Sequence, residues 1–169
     1  NAGKTQYNGI EAAIHFSWIQ SERIKIKHSN ALVVNDFKFK EFIDNDSDYS
    51  GNDLTGVPKL TFNSMLDMET TIGIYAVLNY NYVGKIPIRD DNTVYSKQYQ
   101  LVNTKLGFKS DQSKKMQWDV FVGINNLFDK HYASMLLINA SGFGGSAPRY
   151  YYPGEPSNYY AGTNLKYIF

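Results

Sequence analysis

The sequence predicts an all-β fold, an antiparallel transmembrane β-barrel segment. Apolar residues recur at every second position through most of the 169 residues, which is the period of a strand. Short and long connections alternate along the chain, and aromatic residues cluster near the ends of the alternating segments. No segment shows the helical period strongly enough to compete with this interpretation.

Seven segments show the two-residue alternation, and the last one illustrates it. Tyr159, Leu165 and Tyr167 fall on one side of that segment with Phe169. Asn164 and Lys166 fall on the other side. The predicted strands are residues 5–19, 24–43, 58–69, 71–83, 97–109, 116–127 and 158–169.

The connections between these strands alternate in length. Residues 20–23, a turn near Glu69–Thr71 and residues 110–115 are short, and each is followed by a much longer connection. The long connections are residues 44–57, 84–96 and 129–157. Outer-membrane barrels have short periplasmic turns and long extracellular loops, so we expect the last strand to run inward and the C-terminus to be periplasmic.

Strand length and aromatic placement agree with a membrane barrel. Each segment supplies the roughly 9–11 tilted residues that cross a bilayer. Aromatic residues at segment ends are typical of the interfacial girdles of such barrels. They are Trp18, Tyr80, Tyr82, Phe108, Trp118, Tyr159 and Phe169. A soluble β-sandwich also has alternating strands and stays open as the alternative.

Composition excludes several classes of function. The net charge is +1 with interspersed signs, so the chain lacks the clustered basic face that binds nucleic acid. The absence of cysteine excludes disulfides, thiolate nucleophiles and zinc sites built on cysteine. The sequence offers no nucleophile elbow, and we expect neither enzymatic activity nor a cofactor.

Four motifs resemble the late barrel strands of TonB-dependent outer-membrane receptors, in the family's order. "NAGKTQYNGIEAAI" (1–14) resembles an N-x-G-x-x-x-x-x-G-x-E strand opening, and "YSGNDLTGVPKLTFN" (49–63) a loop-to-strand segment. "VGINNLFDKHY" (122–132) is similar to the N-N-L-F-D-K-x-Y signature near the barrel's end. "YYYPGEPSNYYAGTNLKYIF" (150–169) is similar to the closing segment, although Glu155 stands where the family often has Arg.

The resemblance implies a larger protein. The family's barrel has 22 strands around a plug domain. Residues 1–169 would be its C-terminal part, about the last seven strands, with the plug and earlier strands absent. An isolated sheet of this kind would leave two open edges, so we expect the chain to be a fragment of a receptor in a Gram-negative outer membrane.

The function implied by the resemblance is active import of a scarce nutrient, most often a ferric siderophore or another iron complex. The expected partners are TonB, reached through the absent N-terminal region, outer-membrane lipid, the barrel assembly machinery and the extracellular ligand. The alternatives are a small passive outer-membrane barrel or adhesin, and a soluble β-sandwich binding module.

Two groups of candidate site residues follow. Arg149 lies beside three tyrosines, Tyr150, Tyr151 and Tyr152, and such a cluster can recognise a planar or anionic ligand in an extracellular loop. Interfacial anchoring explains the tyrosines equally well. By resemblance, the terminal pattern of Leu165, Tyr167 and Phe169 is the tag that the assembly machinery recognises; a girdle role alone is the alternative.

Other polar clusters give weaker signals. The acidic run 44–53 departs from the calcium-loop pattern at Tyr49 and Thr55, so it predicts a solvated loop, with a looser calcium site as the alternative. His15, on the inward face, is a minor candidate ligand for haem or metal. The glycine cluster 141–146 is not followed by a helix, which argues against a phosphate cradle. No metal site is predicted.

Overall fold

A computed structural model describes residues 3–169, so Asn1 and Ala2 of the N-terminal motif lie outside the described residues. Within 3–169, no helix is long and apolar enough to cross a membrane. The main sheet is antiparallel and seven-stranded, and its strands lie side by side in their order along the chain. These strands are β1 (Lys4–Gln20), β2 (Ile24–Glu41), β5 (Leu60–Thr70), β6 (Ile74–Val83), β7 (Tyr99–Lys109), β8 (Met116–Asn125) and β11 (Asn158–Tyr167).

Each main strand coincides with one predicted segment, and the differences lie at the ends. The turn predicted near Glu69–Thr71 lies slightly later, since β5 continues to Thr70 and Gly73 closes the turn with a φ of 92°. Gly73 donates its backbone N–H to the Thr70 carbonyl at 3.0 Å. Side chains other than glycine are strained at such a φ, which explains where the turn falls.

Two short hairpins lie inside the long connections and were not predicted. β3 (Ile43–Asp44) pairs with β4 (Ser47–Asp48), and β9 (Ala133–Leu136) pairs with β10 (Tyr151–Pro153). The first hairpin turns through Asn45 and Asp46, both with positive φ, as a two-residue hairpin of this twist requires.

One face of the main sheet is predominantly apolar. Residues directly opposite each other in a ladder share a face, and Leu106 is paired with Ala76 on one side and with Val122 on the other. The same face carries many exposed hydrophobic side chains, among them Ile10, Ile14, Phe16, Leu66, Leu78, Val120, Val122, Tyr159, Leu165 and Tyr167. We call it the apolar face, and it is the face that the alternation predicts for lipid.

Aromatic residues of the apolar face lie in two groups, one toward each end of the strands. Phe108 and Trp118 have ring centroids 5.3 Å apart near the short turns. Phe62 and Tyr80 are 6.2 Å apart toward the long connections. This is the arrangement of the two interfacial girdles of a membrane barrel.

The opposite, polar face carries amides and charges. Asn63 pairs with Asn81, and Asn79 with Asn103, so four asparagines lie together near the long connections. Asn63 Nδ2 donates to Asn81 Oδ1, and Asn81 Nδ2 donates to Asn79 Oδ1. Polar groups in this position are typical of a barrel interior that contacts water or another polar surface.

The β1–β2 hairpin extends well beyond the other strands at the end where the long connections lie. β1 and β2 have 17 and 18 residues, whereas β5 to β8 have 10 or 11. Above Val34, β2 no longer pairs with β5. Instead the connection 42–59 lies along it, since Leu54 N donates to Phe37 O at 2.8 Å and Gly51 N to Phe39 O at 2.7 Å.

Candidate functional site

The three long connections pack together at one end of the sheet. We call them loop A (42–59), loop B (84–98) and loop C (126–157), and their end of the sheet the loop end. Loop B lies between the other two, and the side chains of Pro87 and Ile88 are fully buried there. Gly56 N of loop A donates to Pro87 O at 2.9 Å, and Asn139 N of loop C donates to Ile88 O at 2.9 Å.

Asp90 in loop B binds both neighbouring loops through its carboxylate. Thr55 Oγ1 of loop A donates to Oδ1 at 2.5 Å, and Asn139 Nδ2 of loop C donates to Oδ2 at 2.9 Å. The backbone of Asp90 is also held from both sides: its N–H donates to Asn139 Oδ1 at 3.1 Å, and its carbonyl accepts Asn52 Nδ2 at 2.7 Å. One residue therefore connects three loops.

A second connection joins loops A and B through Asn92 and Asp53. Asp53 N donates to Asn92 Oδ1 at 2.7 Å, and Asn92 Nδ2 donates to Asp53 O at 3.0 Å. The Asp53 carboxylate pairs with Lys59 Nζ at 2.8 Å. That hydrogen bond raises the pKa of the Lys59 ammonium above its ordinary value.

A cavity of about 470 Å³ opens where the three loops meet. Its only cationic lining side chain is Arg89, whose Nη2 lies 2.9 Å from Asp91 Oδ2. Contact with the Tyr150 hydroxyl, and then with Asp91, raises the pKa of the guanidinium. The lining residues are Asp44, Tyr49, Arg89, Asp90, Asp91, Asn139, Ala140, Ser141, Gly142 and Pro148.

The carboxylates of this cavity are largely engaged by the protein itself. The backbone N–H and the hydroxyl of Thr93 donate to Asp91 Oδ1 at 3.0 Å and 2.7 Å, and they lower the Asp91 pKa. Asp90 is occupied by Thr55 and Asn139. The cavity is therefore built by internal hydrogen bonding, and within residues 3–169 no group of three or more His, Cys, Asp or Glu could hold a metal ion.

A second cavity, of about 650 Å³, lies between the start of β7 and loop C. Lys97, Lys130 and His131 supply basic groups, and the rings of Tyr99 and Tyr132 lie 4.9 Å apart. Its lining also includes Gln98, Asp129, Ala133, Tyr151, Pro153, Gly154, Glu155 and Pro156.

Buried Asn126 binds two residues that line this second cavity. Its amide donates to Lys130 O and to Glu155 O, both at 3.0 Å, and its Oδ1 accepts Lys130 N at 2.8 Å. Asn103 Oδ1 of β7 accepts the Asn126 backbone N–H at 2.9 Å. The "NNLFDKHY" motif therefore folds loop C back onto the sheet.

The structure separates the four predicted ligand-binding residues. Tyr150 is half-buried and contacts Arg89, whereas Arg149 is exposed and lines neither cavity. Tyr151 lines the second cavity, and Tyr152, its neighbour in β10, is exposed. Consecutive strand residues point to opposite sides, which explains the separation.

Residues that the sequence did not single out contribute more to the site. Arg89, Asp90 and Asn139 line the first cavity, and Lys97 and His131 the second. The run "RDDNT" (89–93) does predict a local turn, because Asp followed two residues later by Thr favours one. That signal predicts the turn and not the contacts between loops.

The remaining predicted candidates are dispersed over the molecule. His15 lies on the polar face with Nδ1 2.9 Å from Ser29 Oγ, so it sits far from both cavities along β1. The three residues of the predicted assembly signal lie at the end of the sheet away from the loops and are exposed: Leu165, Tyr167 and Phe169. The rings of Tyr167 and Phe169 are 5.2 Å apart. The acidic run 44–53 forms the β3–β4 hairpin and its continuation.

On the polar face, aromatic rings connect charged groups across neighbouring strands. Tyr75 is buried, and its hydroxyl donates to Asp119 Oδ1 at 2.9 Å. Lys109 Nζ lies 4.8 Å from the centre of the Tyr75 ring and 3.3 Å from Glu69 Oε1. Lysine above an aromatic face is stabilised by the ring quadrupole.

Three aromatic rings of the polar face lie directly on glycines of the adjacent strand. A Cβ added to Gly107 would lie 2.3 Å from the Tyr75 ring, and one added to Gly123 would lie 2.2 Å from the Tyr160 ring. Gly162 stands in the same relation to Phe121, at 2.4 Å. The glycines are required because the ring occupies the space of their missing side chain.

Comparison with known families identifies this architecture. Residues 1–127, of 169 in the chain, match the family described as "TonB dependent receptor-like, beta-barrel". The chain belongs to the TonB-dependent receptor family. Membership confirms the expected class, a Gram-negative outer-membrane barrel whose family depends on TonB, and it confirms that the chain is not an enzyme, since the family consists of transporters.

Solved structures agree on the fold. The chain is similar to BauA, the ferric preacinetobactin receptor from Acinetobacter baumannii, with a TM-score of 0.75 and 17% identity over 98% of this chain and 22% of that one. The siderophore receptor PiuA from Acinetobacter baumannii matches with a TM-score of 0.68 and 16% identity, over 98% of this chain and 22% of that one. The ferric yersiniabactin uptake receptor FyuA from Yersinia pestis matches with a TM-score of 0.64 and 22% identity, over 100% of this chain and 24% of that one.

The extent of these matches sets the size of the segment. The chain spans only 22% to 24% of the three receptors while nearly all of it is covered. The seven-stranded antiparallel sheet therefore matches one part of a larger barrel fold. At these identities the likeness concerns the fold, and the ligand of this chain has to be argued separately.

Proposed function

We propose that this chain is the C-terminal barrel segment of an outer-membrane receptor that imports a ferric siderophore or another iron complex, driven by TonB. The observation that carries the proposal is the two-faced sheet of a TonB-dependent receptor barrel with a packed layer of long loops at one end. Of the three structural neighbours, BauA is a ferric preacinetobactin receptor, PiuA a siderophore receptor and FyuA a ferric yersiniabactin uptake receptor, which supports an iron complex as the cargo.

Uptake of radioactive iron under iron limitation tests this proposal. Cells with the intact receptor, without it, or with the receptor but without TonB are supplied with ferric complexes of a catecholate, a hydroxamate and a phenolate siderophore. We expect uptake of at least one complex to require both the receptor and TonB. Uptake that persists without TonB would instead indicate a passive barrel, and binding of cells to surfaces without uptake would indicate an adhesin.

The loop end is proposed to face outside, with the short turns and the C-terminus on the periplasmic side. The sequence contains no cysteine, so single cysteines can report orientation without background from this segment. Ser141→Cys lies in loop C and Lys114→Cys in the turn 110–115, and both positions are exposed. A membrane-impermeant maleimide should label the first in intact cells and the second only after the outer membrane is opened; the reverse pattern would overturn the orientation.

The ligand-capture surface is proposed to include the exposed side chains of Arg149, Tyr151 and Tyr152 in loop C. Guanidinium and tyrosine groups suit an anionic, aromatic iron complex. A triple alanine variant at these positions should raise the half-saturating concentration for iron uptake by about tenfold, the expected loss of a few exposed contacts. Phe143→Ala is the matched control, because Phe143 is also exposed in loop C, at 92%.

Leu165, Tyr167 and Phe169 are proposed to form the signal read by the barrel assembly machinery. All three side chains are exposed: Leu165 and Tyr167 lie on the apolar face at the turn end of β11, and the Phe169 ring lies 5.2 Å from the Tyr167 ring, where another protein could contact them. Phe169→Ala should lower the outer-membrane level of the intact receptor without changing its synthesis. Ile168→Ala is the control, since Ile168 is the neighbouring exposed apolar residue; an unaltered receptor level for Phe169→Ala would contradict the signal and favour a simple girdle role.

A further inference from the structure

We propose that Asp90 is a positioning residue that holds loops A, B and C as one preassembled body, so that the receptor presents a formed capture surface before any ligand arrives. The proposal concerns the contacts between the loops and does not depend on which ligand the receptor imports. It goes beyond the family assignment, which says nothing of how these loops are held.

Asp90 lies at the centre of the hydrogen bonds between the loops. Its carboxylate accepts one bond from Thr55 in loop A and one from Asn139 in loop C, at 2.5 Å and 2.9 Å. These partners are 35 and 49 residues away along the chain. Bonds to a charged acceptor are stronger than neutral ones, so each bond contributes more than an ordinary loop contact.

Asp90 and Asn139 form two hydrogen bonds with each other. Asn139 donates from Nδ2 to the carboxylate and accepts the Asp90 backbone N–H at Oδ1, 3.1 Å away. Two antiparallel bonds between one pair of residues define orientation as well as distance. Asn139 itself has a positive φ of 51°, a conformation that Asn tolerates better than most residues.

Backbone contacts next to Asp90 join the same three loops. Buried Ile88 lies two residues before Asp90, and its carbonyl accepts Asn139 N. The Pro87 carbonyl accepts Gly56 N from the other side. The aspartate next in sequence behaves differently, because Asp91 bonds only to Arg89 and Thr93 within loop B among the side-chain contacts of residues 3–169.

Amide hydrogen exchange of the intact receptor in detergent, measured without ligand, tests the proposal. The reporters are the amides of Gly56 and Asn139, which donate between loops but are not bonded to the Asp90 side chain. Asn139→Asp is the isosteric disruption, since it places two carboxylates against each other. Both Asp90→Ala and Asn139→Asp should accelerate exchange at the reporters by about tenfold, after correction for intrinsic rates.

The reciprocal double variant Asp90→Asn with Asn139→Asp separates positioning from general damage. In this double variant, the side-chain amide at position 90 donates to the carboxylate at position 139. The amide oxygen at position 90 still accepts the Thr55 hydroxyl. Protection of the Gly56 and Asn139 reporter amides from exchange should therefore return to the wild-type level. Asp91→Asn is the matched control and should leave both reporters unchanged. The proposal is overturned if Asn139→Asp leaves exchange unaltered, or if the double variant exchanges as fast as Asn139→Asp. Because no ligand is present, neither result bears on the proposed iron uptake.

Discussion

The main sheet and the loop layer above it are stabilised in different ways. The sheet is held by backbone ladders between strands that are neighbours along the chain, with connections as short as Thr71–Gly73. The loop layer is held by isolated hydrogen bonds between distant residues, from the backbone at Gly56 and Asn139 and from side chains 35 to 49 positions apart at Asp90. A change in the sheet should therefore affect the whole barrel, whereas a change in the loops should remain local.

The largest expected effect comes from placing a charge on the apolar face of the sheet. Thr163→Arg and Asn164→Arg are neighbours in β11 on opposite faces, and Asn164 Nδ2 lies 3.4 Å from Asp119 Oδ2. We expect Thr163→Arg to destabilise the barrel by about 2–4 kcal/mol, because the guanidinium would face hydrocarbon. Heat- or urea-induced unfolding followed by gel mobility measures this.

Asn164→Arg is the control, since its side chain lies on the polar face and can pair with Asp119. It should unfold within about 0.5 kcal/mol of the wild type, as surface substitutions usually do. Equal losses for the two variants would contradict the assignment of the faces.

A smaller effect on the sheet is expected at the glycines beneath aromatic rings. Gly107→Ala would place a Cβ 2.3 Å from the Tyr75 ring, and overpacking of this kind costs about 1–3 kcal/mol. Combining it with Tyr75→Ala removes the clash, so the double variant should lose less than the sum of the two single losses. Strict additivity in the unfolding free energies would show that the ring and the glycine do not interact.

A substitution in the loop layer should lower local stability without changing the unfolding of the barrel. Asn92→Ala removes the two hydrogen bonds to Asp53, so we expect about 1 kcal/mol of local stability to be lost and faster proteolysis within loops A and B. The unfolding temperature of the barrel should not change. Asn45→Ala is the control, because Asn45 also has a positive φ but makes no side-chain hydrogen bond within residues 3–169.

The smallest effect concerns a turn that is local in sequence. The backbone N–H of Ser113, and then its hydroxyl, lower the pKa of Asp111 below its ordinary value of 3.8. A carboxylate with a lowered pKa stabilises the fold above pH 3.8, and this contribution disappears as the pH falls through the lowered value. Carboxyl chemical shifts should titrate below 3.8, and Ser113→Ala should bring the midpoint back toward it; an unchanged midpoint would contradict the assignment.

The contrast between sheet and loops also explains what the sequence could predict. All seven strands were recognised because alternation is a local pattern that a buried or lipid-facing side enforces. The β3–β4 and β9–β10 hairpins were missed because their strands have only 2 to 4 residues, too few for a period.

The candidate site was predicted less well, for a physical reason. Arg149 to Tyr152 were grouped because they are adjacent in sequence, but the β10 backbone sends Tyr151 and Tyr152 to different surroundings. Arg89 and Asn139 gave no comparable signal, since their importance arises from contacts between loops. Among the residues that the sequence did not single out, the short local turn at Asp91 and Thr93 is the one feature that could have been inferred from it.

The tall β1–β2 hairpin has a consequence for how receptors behave when crowded in a membrane. A strand that rises past its neighbours exposes unpaired N–H and C=O groups, which invite pairing with a strand of another molecule. Loop A occupies that position along β2, since Asn35 N donates to Lys59 O and Phe39 N to Asn52 O, at 2.9 Å and 3.0 Å. On its β5 side the upper part of β2 is thus closed by the protein's own backbone, which protects adjacent receptors from joining edge to edge there.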